Sequence, residues 1–430
     1  MNSIAIATLL GSFFVLIFLG SHISFAMITA STICMIYLGL SPMQVISALV
    51  DGVDGFTFLA IPFFILSGDI MAKGGISNRL IKLADGFVGW MRGGLAMVNV
   101  LASVFFGGIS GSATADTASL GSILIPMMSK QGYDTEFATA ITMTSSVQGM
   151  LIPPSHNMII YAMAAGGISV SALFMGGIVP GLLLALALSI YCIFISRKRK
   201  YPKGHPFSLR YLWEATKESI WGLGTVLIVV FGVTTGIFTA TESAAIACVY
   251  AVIVSLFVYR EISFVELGPV MKKSIQTLST VLILIAASGP FGFCITYLKI
   301  PSLLMGAILS LTTNKFLLLL LINLLILALG TILGMAPIII ITTPIIMPIL
   351  LQIGYSPIQF GAVLILNCGI GLITPPVGGV LFIGSGISGI SIERLFKHTW
   401  PLLIVMLIVL ILITYIPPIT LALPSALGLL

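Results

Sequence analysis

The sequence predicts an all-α polytopic membrane protein that contains an internal repeat. Hydrophobic residues make up 58% of its 430 residues and charged residues only 7%, whereas a soluble domain carries about 25% charged residues. A second observation is a stretch that occurs twice, 222 residues apart, with matching proline and glycine positions. A third is the distribution of lysine and arginine, which favours one side of a membrane along the whole chain.

Cysteine and histidine usage disfavours several other classes of protein. The five cysteines lie apart inside apolar runs and form no CxxC pair, so neither a disulfide framework nor a zinc site is expected. The first apolar run begins at Ile4 without a basic segment before it or a small-residue cleavage site after it. We therefore expect a retained span and not a cleaved signal peptide.

Candidate spans are the apolar runs that approach the roughly 20 residues needed to cross a bilayer. We predict them at residues 3–20, 23–40, 57–73, 93–109, 113–130, 135–167, 169–196, 219–237, 240–259, 276–297, 315–331, 334–351, 357–388 and 398–420. Three segments, 76–92, 208–221 and 261–275, have one polar and one apolar face instead. We expect these three to be interfacial helices on the cytoplasmic surface.

The repeat covers residues 123–169 and 345–391. Without any gap, its first copy aligns Pro126, Gly132, Tyr133, Gly149, Pro153, Pro154 and 167–169 with Pro348, Gly354, Tyr355, Gly371, Pro375, Pro376 and 389–391. Proline and glycine fix backbone geometry, not bulk hydrophobicity, so this shared spacing indicates a duplicated structural unit.

Each copy of the repeat follows a pair of short apolar runs joined by a glycine-containing turn. The pairs are 93–109 with 113–130, and 315–331 with 334–351. Each pair forms either a re-entrant hairpin or two full crossings. Both alternatives give the same parity, so the topology of the remaining chain does not depend on the choice.

Lysine and arginine predict the orientation. With the segment 197–205 in the cytoplasm, 17 of the 19 basic residues fall inside, and both termini fall outside. The net charge of +6 then reflects orientation and not nucleic-acid binding. Five predicted crossings separate Tyr133 from Tyr355, so the two copies are inverted. Inverted repeats with broken helices at the midplane are typical of secondary transporters.

Consecutive prolines interrupt the broken span of each copy. Such a break frees carbonyl groups, which are tolerated at membrane depth only where they line a cavity or bind something. Carbonyls with nearby hydroxyls suit a hard cation such as Na⁺, although a simple kink is the alternative. Polar residues surround the first break at Thr142, Thr144, Ser145, Ser146, Gln148, Ser155, His156 and Asn157, and the second at Asn367 and Thr374.

Three acidic residues lie in or beside apolar runs, where a charge usually faces a cavity or a partner. Asp116, after the hairpin turn, is predicted either as a site residue or as the N-cap of the helix at 117–130. We expect Glu242 to cap the helix that starts there. Asp69 is expected near the cytoplasmic interface with Lys73.

Several motifs resemble those of the large membrane subunit of tripartite ATP-independent periplasmic (TRAP) transporters. They are PFFILSGDIMAKGGIS, GGISGSATADTASLGSILIP, IPPSHNMIIYAMAAGGIS, GIFTATESAA and GLITPPVGGVLF. The resemblance implies a sodium-coupled secondary importer of an organic acid, such as a sialic acid or a C4-dicarboxylate. It also implies a fold similar to the ion transporter superfamily, with two re-entrant hairpins, two broken helices and an elevator-like moving domain.

The resemblance carries site residues onto this sequence. Sodium is expected at Ser103, Ser110, Ser112, Asp116, Ser145 and Pro153, and in the second copy at Gly330, Gly334, Asn367, Thr374 and Pro375. The substrate is expected between the hairpin tips, at Ser112, Thr114, Ser155, His156, Asn157 and Gly378. No arginine lies at the predicted membrane depth, so backbone amides, helix N-termini and hydroxyls are expected to hold its carboxylate.

The resemblance also implies a division of the chain into four units. Residues 1–92 and 197–314 are predicted to form scaffold helices with interfacial arms, and 93–196 and 315–430 to form transport units. The first transport unit comprises a hairpin (93–130), a broken helix (135–167) and a helix (169–196); the second comprises a hairpin (315–351), a broken helix (357–388) and a helix (398–420).

The expected partners are a small four-helix membrane subunit, a periplasmic substrate-binding protein and lipid, in the bacterial inner membrane. Na⁺ is the expected coupling ion, and no cofactor or nucleic acid is expected. The alternative is a stand-alone sodium-coupled dicarboxylate or citrate carrier, which would work without a binding protein. An intramembrane enzyme is disfavoured because it needs a nucleophile–base or metal cluster, and only four histidines are present.

Overall fold

The structure, a computed structural model, describes residues 2–303, 306 and 314–430. In chain order its α-helices are α1 (Asn2–Phe18), α2 (Ile23–Tyr37), α3 (Met43–Asp51), α4 (Ala60–Lys73), α5 (Ile76–Val88), α6 (Gly94–Ser110), α7 (Ala113–Lys130), α8 (Thr135–Gln148), α9 (His156–Ala164), α10 (Val170–Lys198), α11 (Leu209–Thr234), α12 (Ala240–Ile253), α13 (Phe264–Tyr297), α14 (Lys315–Gly330), α15 (Met335–Gln352), α16 (Pro357–Leu372), α17 (Gly379–Ser388), α18 (Ile392–Tyr415) and α19 (Pro417–Ala426). The predicted all-α class is confirmed. Residues 304–305 and 307–313, in the predicted scaffold unit 197–314, lie outside the described residues.

Among the described residues, six helices are long and apolar enough to cross a membrane. They are α10, α11, α12 with the π-helical turn Val254–Val258 that follows it, α13, α15 and α18. Shorter apolar helices include α1, α2, α6, α14, α16 and α17. The exposed surface includes many large apolar side chains, such as Phe18, Leu186 and Phe231. This pattern agrees with the multi-pass architecture that the sequence predicts.

The same order of helices occurs twice. A hairpin (α6–α7), a broken helix (α8 and α9) and a long helix (α10) are followed later by a second hairpin (α14–α15), a second broken helix (α16 and α17) and a second long helix (α18). The predicted helix breaks are present, with non-helical residues at 149–155 and 373–378. The orientation of the two copies across a bilayer stays a prediction.

The first halves of the two broken helices form the centre of the molecule. Every residue from 137 to 148 in α8 and from 359 to 371 in α16 is buried. A helix that is buried on all sides belongs to the core and not to a lipid-facing surface. The two copies also interlock, because α7 packs on α17, α8 on α18, and α9 on α15. The polar residues of both breaks are therefore held inside the protein.

Helices outside the two copies form a second layer. Helix α4 packs against α12 and α13, α2 packs against α1 and α13, and α5 packs against α11. Helix α4 also contacts α6 and α9. This layer therefore reaches the first hairpin and the first break.

Two of the three predicted interfacial helices are wrong as separate elements. Residues 209–221 belong to α11 and 264–275 to α13, and each of these helices continues without a break into the apolar run that follows. The amphipathic part of each helix is followed by a short segment, GLG in α11 and SIQTL in α13, that contains no proline. Nothing therefore stops the helix where its amphipathic part ends. Only the first predicted arm, 76–92, is largely a separate helix, α5.

The cap of α12 settles one expectation. Thr239 and Glu242 form a capping box, in which each side chain accepts a hydrogen bond from the other residue's backbone N–H. The expectation that Glu242 caps α12 is therefore confirmed.

The predicted span 398–420 is wrong at its end, because α18 stops at Tyr415 and Pro417 begins a new helix, α19. Helix α3 was not expected from the sequence.

Candidate functional site

Glycine contacts hold each hairpin against its helix break. A Cβ atom built on Gly107 of α6 would lie only 2.1 Å from the Cα atom of Gly149, the first residue of the first break. In the second copy, a Cβ on Gly371 would lie 2.5 Å from the carbonyl carbon of Gly330. Carbon atoms in contact normally lie about 3.5–4.0 Å apart. Gly107, Gly149 and Gly371 therefore have no room for a side chain, and a Cβ on Gly330 would make a tight contact, 3.2 Å from the Cα atom of Gly371.

A buried carboxylate lies beside the first glycine contact. Asp116 in α7 has no exposed surface, and its Oδ1 atom lies 3.1 Å from the hydroxyl of Ser103. That hydroxyl also lies 3.2 Å from the hydroxyl of Ser145 in α8. The other oxygen, Oδ2, has no hydrogen-bond partner among the described residues. It faces the first break, 3.5 Å from the position a Cβ would take on Gly149.

Asp116 is not the N-cap of α7, and that alternative is wrong. The N-cap is Ser112, whose hydroxyl accepts a hydrogen bond from the backbone N–H of Ala115. Since Asp116 is not required to cap the helix, its burial needs another explanation. A buried charge is costly unless it is paired or binds a cation.

A buried asparagine supports the break in each copy. In the first copy, Asn99 donates to the hydroxyl of Thr142 at 2.6 Å and accepts from Ser145 at 3.0 Å. In the second copy, Asn367 donates to the backbone carbonyl of Asn323 at 2.9 Å. Sequence reasoning missed Asn99 and Asn323. Their signal was a lone amide in the first helix of each apolar hairpin.

The second break contains fewer polar side chains, as the sequence indicates. The amide oxygen of Asn367 is buried and has no partner among the described residues. The hydroxyl of Thr374, in the break, donates to the carbonyl of Ile370 in the preceding helix at 2.7 Å, so its hydrogen is already used. Pro375 lies in the break itself, and Gly378 has a φ of +31° that favours glycine. Gly334 immediately precedes α15 at the hairpin turn.

Unpartnered polar atoms concentrate at the two breaks. Of the nine buried side-chain N and O atoms without a partner in the described residues, five lie there, on Asp116, Gln148, Ser155, His156 and Asn367. Most buried polar groups in proteins are hydrogen-bonded. The two breaks are therefore where polar groups are left over for a ligand or for water. Four of the five atoms are oxygens, which are the ligands that hard cations take.

A cavity of about 320 Å³ adjoins the first hairpin tip. Its lining comes from α4, α13, the tip of the first hairpin, the first break and α17: Ile65, Gly68, Asp69, Ser110, Ser112, Thr114, Ala115, Ala118, His156, Lys273, Thr277, Val281 and Ile383. Of the predicted substrate residues, Ser112, Thr114 and His156 meet at this cavity. Ser155, Asn157 and Gly378 do not line it.

The predicted first sodium group divides between two places. Ser103, Asp116 and Ser145 meet at the buried carboxylate, whereas Ser110 and Ser112 line the cavity. The break closes against the hairpin tip, because a Cβ on Gly108 would lie 3.2 Å from the carbonyl oxygen of Pro153. Asn157 donates to the carbonyl of Gly111 at 3.4 Å and so joins the break to the tip.

Two charged residues of the cavity make contacts that the sequence did not predict. Asp69 does not pair with Lys73; its carboxylate accepts from Lys273 at 3.2 Å and from the hydroxyl of Ser274 at 2.7 Å. Lys273 belongs to the segment expected on the membrane surface, but it lines the cavity. The cavity therefore offers an ammonium group beside the amides, helix ends and hydroxyls that were expected to hold an anionic group; which of them holds it stays a prediction.

The comparisons with known proteins identify the family. Residues 10–419 match the model of the DctM component of the tripartite ATP-independent periplasmic transporters. The chain belongs to the DctM family of large TRAP permeases. It is 40% identical to the C4-dicarboxylate TRAP transporter large permease protein DctM of Pseudomonas aeruginosa over 375 residues, which cover 87% of this chain and 88% of that protein.

Two further similarities extend this result. The chain is 34% identical to the sialic acid TRAP transporter large permease protein SiaM of Vibrio cholerae over 411 residues, 95% of this chain and 96% of that protein. The crystal structure of the YdaH transporter of Alcanivorax borkumensis matches with a TM-score of 0.65 and 16% identity, covering 86% of this chain and 87% of that one. The latter shows the fold alone. The TRAP permease described here is thus a multi-pass membrane protein that serves transport, and it is not an enzyme.

Proposed function

We propose that this TRAP permease imports an organic acid across the bacterial inner membrane, with sodium as the coupling ion. A small four-helix membrane subunit and a periplasmic binding protein complete the transporter. The observation that carries the sodium coupling is the pair of buried, unpartnered acceptor oxygens at the two breaks, Asp116 Oδ2 and Asn367 Oδ1. An acceptor that finds no donor in a packed interior suits a cation.

The first ion is held by the carboxylate together with its hydroxyl neighbours. Ser103 and Ser145 lie within hydrogen-bond distance of each other and bring two hydroxyl oxygens to the Asp116 side of the break. The residues 149–155 are not helical, so carbonyls of this segment are available as further ligands, apart from that of Ser155, which accepts from the backbone N–H of Met158. The second ion is held at the break between α16 and α17. Asn367 supplies a side-chain oxygen there, and Gly330 lets the backbone of the hairpin lie close to the break.

Coupling follows from the position of the first hairpin. Its helices carry Ser103 and Asp116, and its tip carries Ser110 and Ser112 on the cavity wall. An ion that fixes the hairpin against the break therefore also fixes one wall of the substrate cavity. Because binding free energies are reciprocal, sodium raises substrate affinity by the same factor by which substrate raises sodium affinity.

Movement of the two interlocked copies against the outer helices would carry the hairpin wall of this cavity, and the substrate held there, past α4 and α13 on its other side. The copies share α7–α17, α8–α18 and α9–α15 contacts, which favours their motion as one body. Helices α1–α5 and α11–α13 then act as the scaffold, and the two copies face opposite sides of the bilayer. This is an elevator-type mechanism.

The decisive experiment measures uptake into proteoliposomes that contain the chain with its small membrane subunit, with the loaded binding protein outside. Asp116→Asn removes the carboxylate charge and is expected to reduce sodium-dependent uptake at least tenfold. Asp54→Asn, at an exposed loop position, is the matched control and should leave uptake unchanged. An unchanged sodium titration for Asp116→Asn would reject the first ion site.

The same assay separates the three-part transporter from a stand-alone carrier. Uptake by the three-part transporter requires the binding protein, so its omission should abolish the signal at micromolar solute. Equal uptake with and without the binding protein would instead support the stand-alone carrier. Single cysteines introduced at Gln131 and Gln352, exposed residues close to the buried Tyr133 and Tyr355, test the inverted arrangement. It predicts that a reagent added on one side of the membrane labels one of them and a reagent added on the other side labels the other.

A further inference from the structure

We propose that Lys273 binds the acid group of the substrate in exchange for Asp69, and that this single cation selects hydroxylated monoanions over dicarboxylates. The inference rests on the proposed import of an organic acid and assigns both the binding group and the substrate class. It begins from the ion pair on the cavity wall, where the Nζ atom of Lys273 lies 3.2 Å from Asp69 Oδ1.

The two members of this ion pair differ in burial. The side chain of Lys273 is 70% exposed, whereas that of Asp69 is only 15% exposed. Lys273 therefore has room to turn towards a ligand in the cavity. Asp69 retains a partner when it does so, because the hydroxyl of Ser274 donates to its other oxygen at 2.7 Å. The exchange thus leaves no carboxylate without a hydrogen bond, and a buried carboxylate without one would be costly.

The charges of the cavity set the class of substrate. Its lining contains one ammonium group, Lys273, and one carboxylate, Asp69, so their formal charges cancel. A monoanion in the cavity adds one negative charge, and the ammonium group of Lys273 then lies between its acid group and Asp69. A second carboxylate on the same ligand would find no second ammonium or guanidinium group among the described residues that line the cavity. A charge that loses water without gaining a partner is strongly disfavoured.

The remaining polar lining suits hydroxyl groups. Ser110, Ser112, Thr114 and Thr277 line the cavity, and so does His156, whose Nδ1 atom has no partner among the described residues. Hydroxyls both donate and accept, so they pair well with the hydroxyls of a sugar acid. The volume of about 320 Å³ is at the lower end of the ~300–1,000 Å³ found for ligand pockets. These features together favour a compact, hydroxylated monocarboxylate.

The test is equilibrium binding to the complex of this chain with its small membrane subunit, in sodium and without the binding protein. The probes are gluconate and sialic acid as hydroxylated monoanions, and succinate as a dianion. The wild type should bind at least one monoanion about tenfold or more tightly than succinate. Lys273→Gln should weaken that binding by about 10- to 100-fold, the loss expected for a charge-assisted hydrogen bond.

Three variants make the test specific. Lys272→Gln removes an exposed lysine next in sequence that does not line the cavity, and it should bind as the wild type does. Lys273→Arg keeps the positive charge and should recover most of the lost affinity. Asp69→Asn makes the cavity more positive, so the ratio of succinate to monoanion affinity should rise about tenfold. Sodium-dependent thermal stabilisation should persist in Lys273→Gln, which shows that this variant is folded.

The outcomes distinguish this inference from the proposed function. If the wild type binds a monoanion and Lys273→Gln binds it equally well, the role of Lys273 is refuted while organic-acid transport stands. If the wild type binds succinate more tightly than both monoanions, the proposed selectivity is refuted. If the wild type binds none of the three acids in sodium, both the inference and the proposed substrate class are refuted.

Discussion

The glycine contact at each break can be tested by adding one methyl group. Gly371→Ala places a Cβ atom 2.5 Å from the carbonyl carbon of Gly330 and 2.6 Å from its Cα and O atoms. Since contacting carbons prefer about 3.5–4.0 Å, the two helices must separate by about 1 Å. The obstructing atoms are backbone and cannot rotate away. Gly149→Ala creates the equivalent clash in the first copy, 2.8 Å from the Cα atom of Gly107.

The expected cost follows from known substitutions. Overpacking a close-packed interior costs about 1–3 kcal/mol, and alanine recovers up to about 1 kcal/mol over glycine in a helix. Each variant should therefore lose about 1–2 kcal/mol of stability. Gly149→Ala should also weaken sodium binding, because its methyl group would lie 3.5 Å from Asp116 Oδ2. Gly371→Ala should affect the second ion and leave the Asp116 region unchanged.

The assay is thermal unfolding of the purified complex, followed over a sodium titration. Gly11→Ala is the matched control, since a Cβ there meets nothing within 4 Å, and it should unfold at or slightly above the wild-type temperature. Both break variants should unfold at lower temperature than this control. The opposite result would be that Gly149→Ala and Gly371→Ala unfold at the same temperature as Gly11→Ala and give the sodium titration of the wild type. The close backbone approach would then not be needed, and the reasoning would be refuted.

Two further predictions concern the second break and a surface ion pair. Replacing Pro375 and Pro376 by alanine should restore a continuous helix and abolish transport while the protein still inserts; normal uptake would mean that the break is only a kink. His205 Nε2 lies 2.7 Å from the carboxylate of Asp85, and this hydrogen bond raises the pKa of His205. The pair therefore stabilises the fold at low pH and loses its effect as the pH rises through the raised pKa. A surface ion pair contributes about 0.2–1 kcal/mol to the free energy of unfolding. The unfolding midpoint of the wild type should therefore fall as this contribution is lost between pH 5 and pH 9, and that of His205→Gln should not.

The helix breaks were predictable because proline and glycine act on the backbone directly. Pro153-Pro154 and Pro375-Pro376 stop a helix whatever surrounds them, so their matched positions already indicated a duplicated unit. The hairpins followed from short apolar runs joined by glycine-containing turns. Asp116 was a candidate site residue because a carboxylate in an apolar stretch has few structural reasons to be there; its burial is observed, and its role stays a prediction.

The cavity lining was harder to predict from the sequence because it depends on contacts between distant segments. Lys273 and Asp69 are 204 residues apart, and no periodicity links them. The amphipathic pattern of 261–275 correctly predicted a helix with a polar face, but it did not show that this face turns towards a cavity. Continuation of α13 through Tyr297 decides that orientation, and helix ends are set by tertiary packing as much as by local sequence.

The difference between the two copies leads to a last prediction. Ile338 occupies the position in the second copy that Asp116 occupies in the first, 222 residues earlier. The first ion therefore meets a carboxylate and the second only neutral oxygens such as that of Asn367. Because charge–charge attraction strengthens in a buried site, the first site should fill at lower sodium concentration. Calorimetric titration of the wild type should show two steps, and Asp116→Asn should lose the tighter one while Asn367→Ala loses the weaker. Loss of the same step in both variants would show that the two breaks do not hold separate ions.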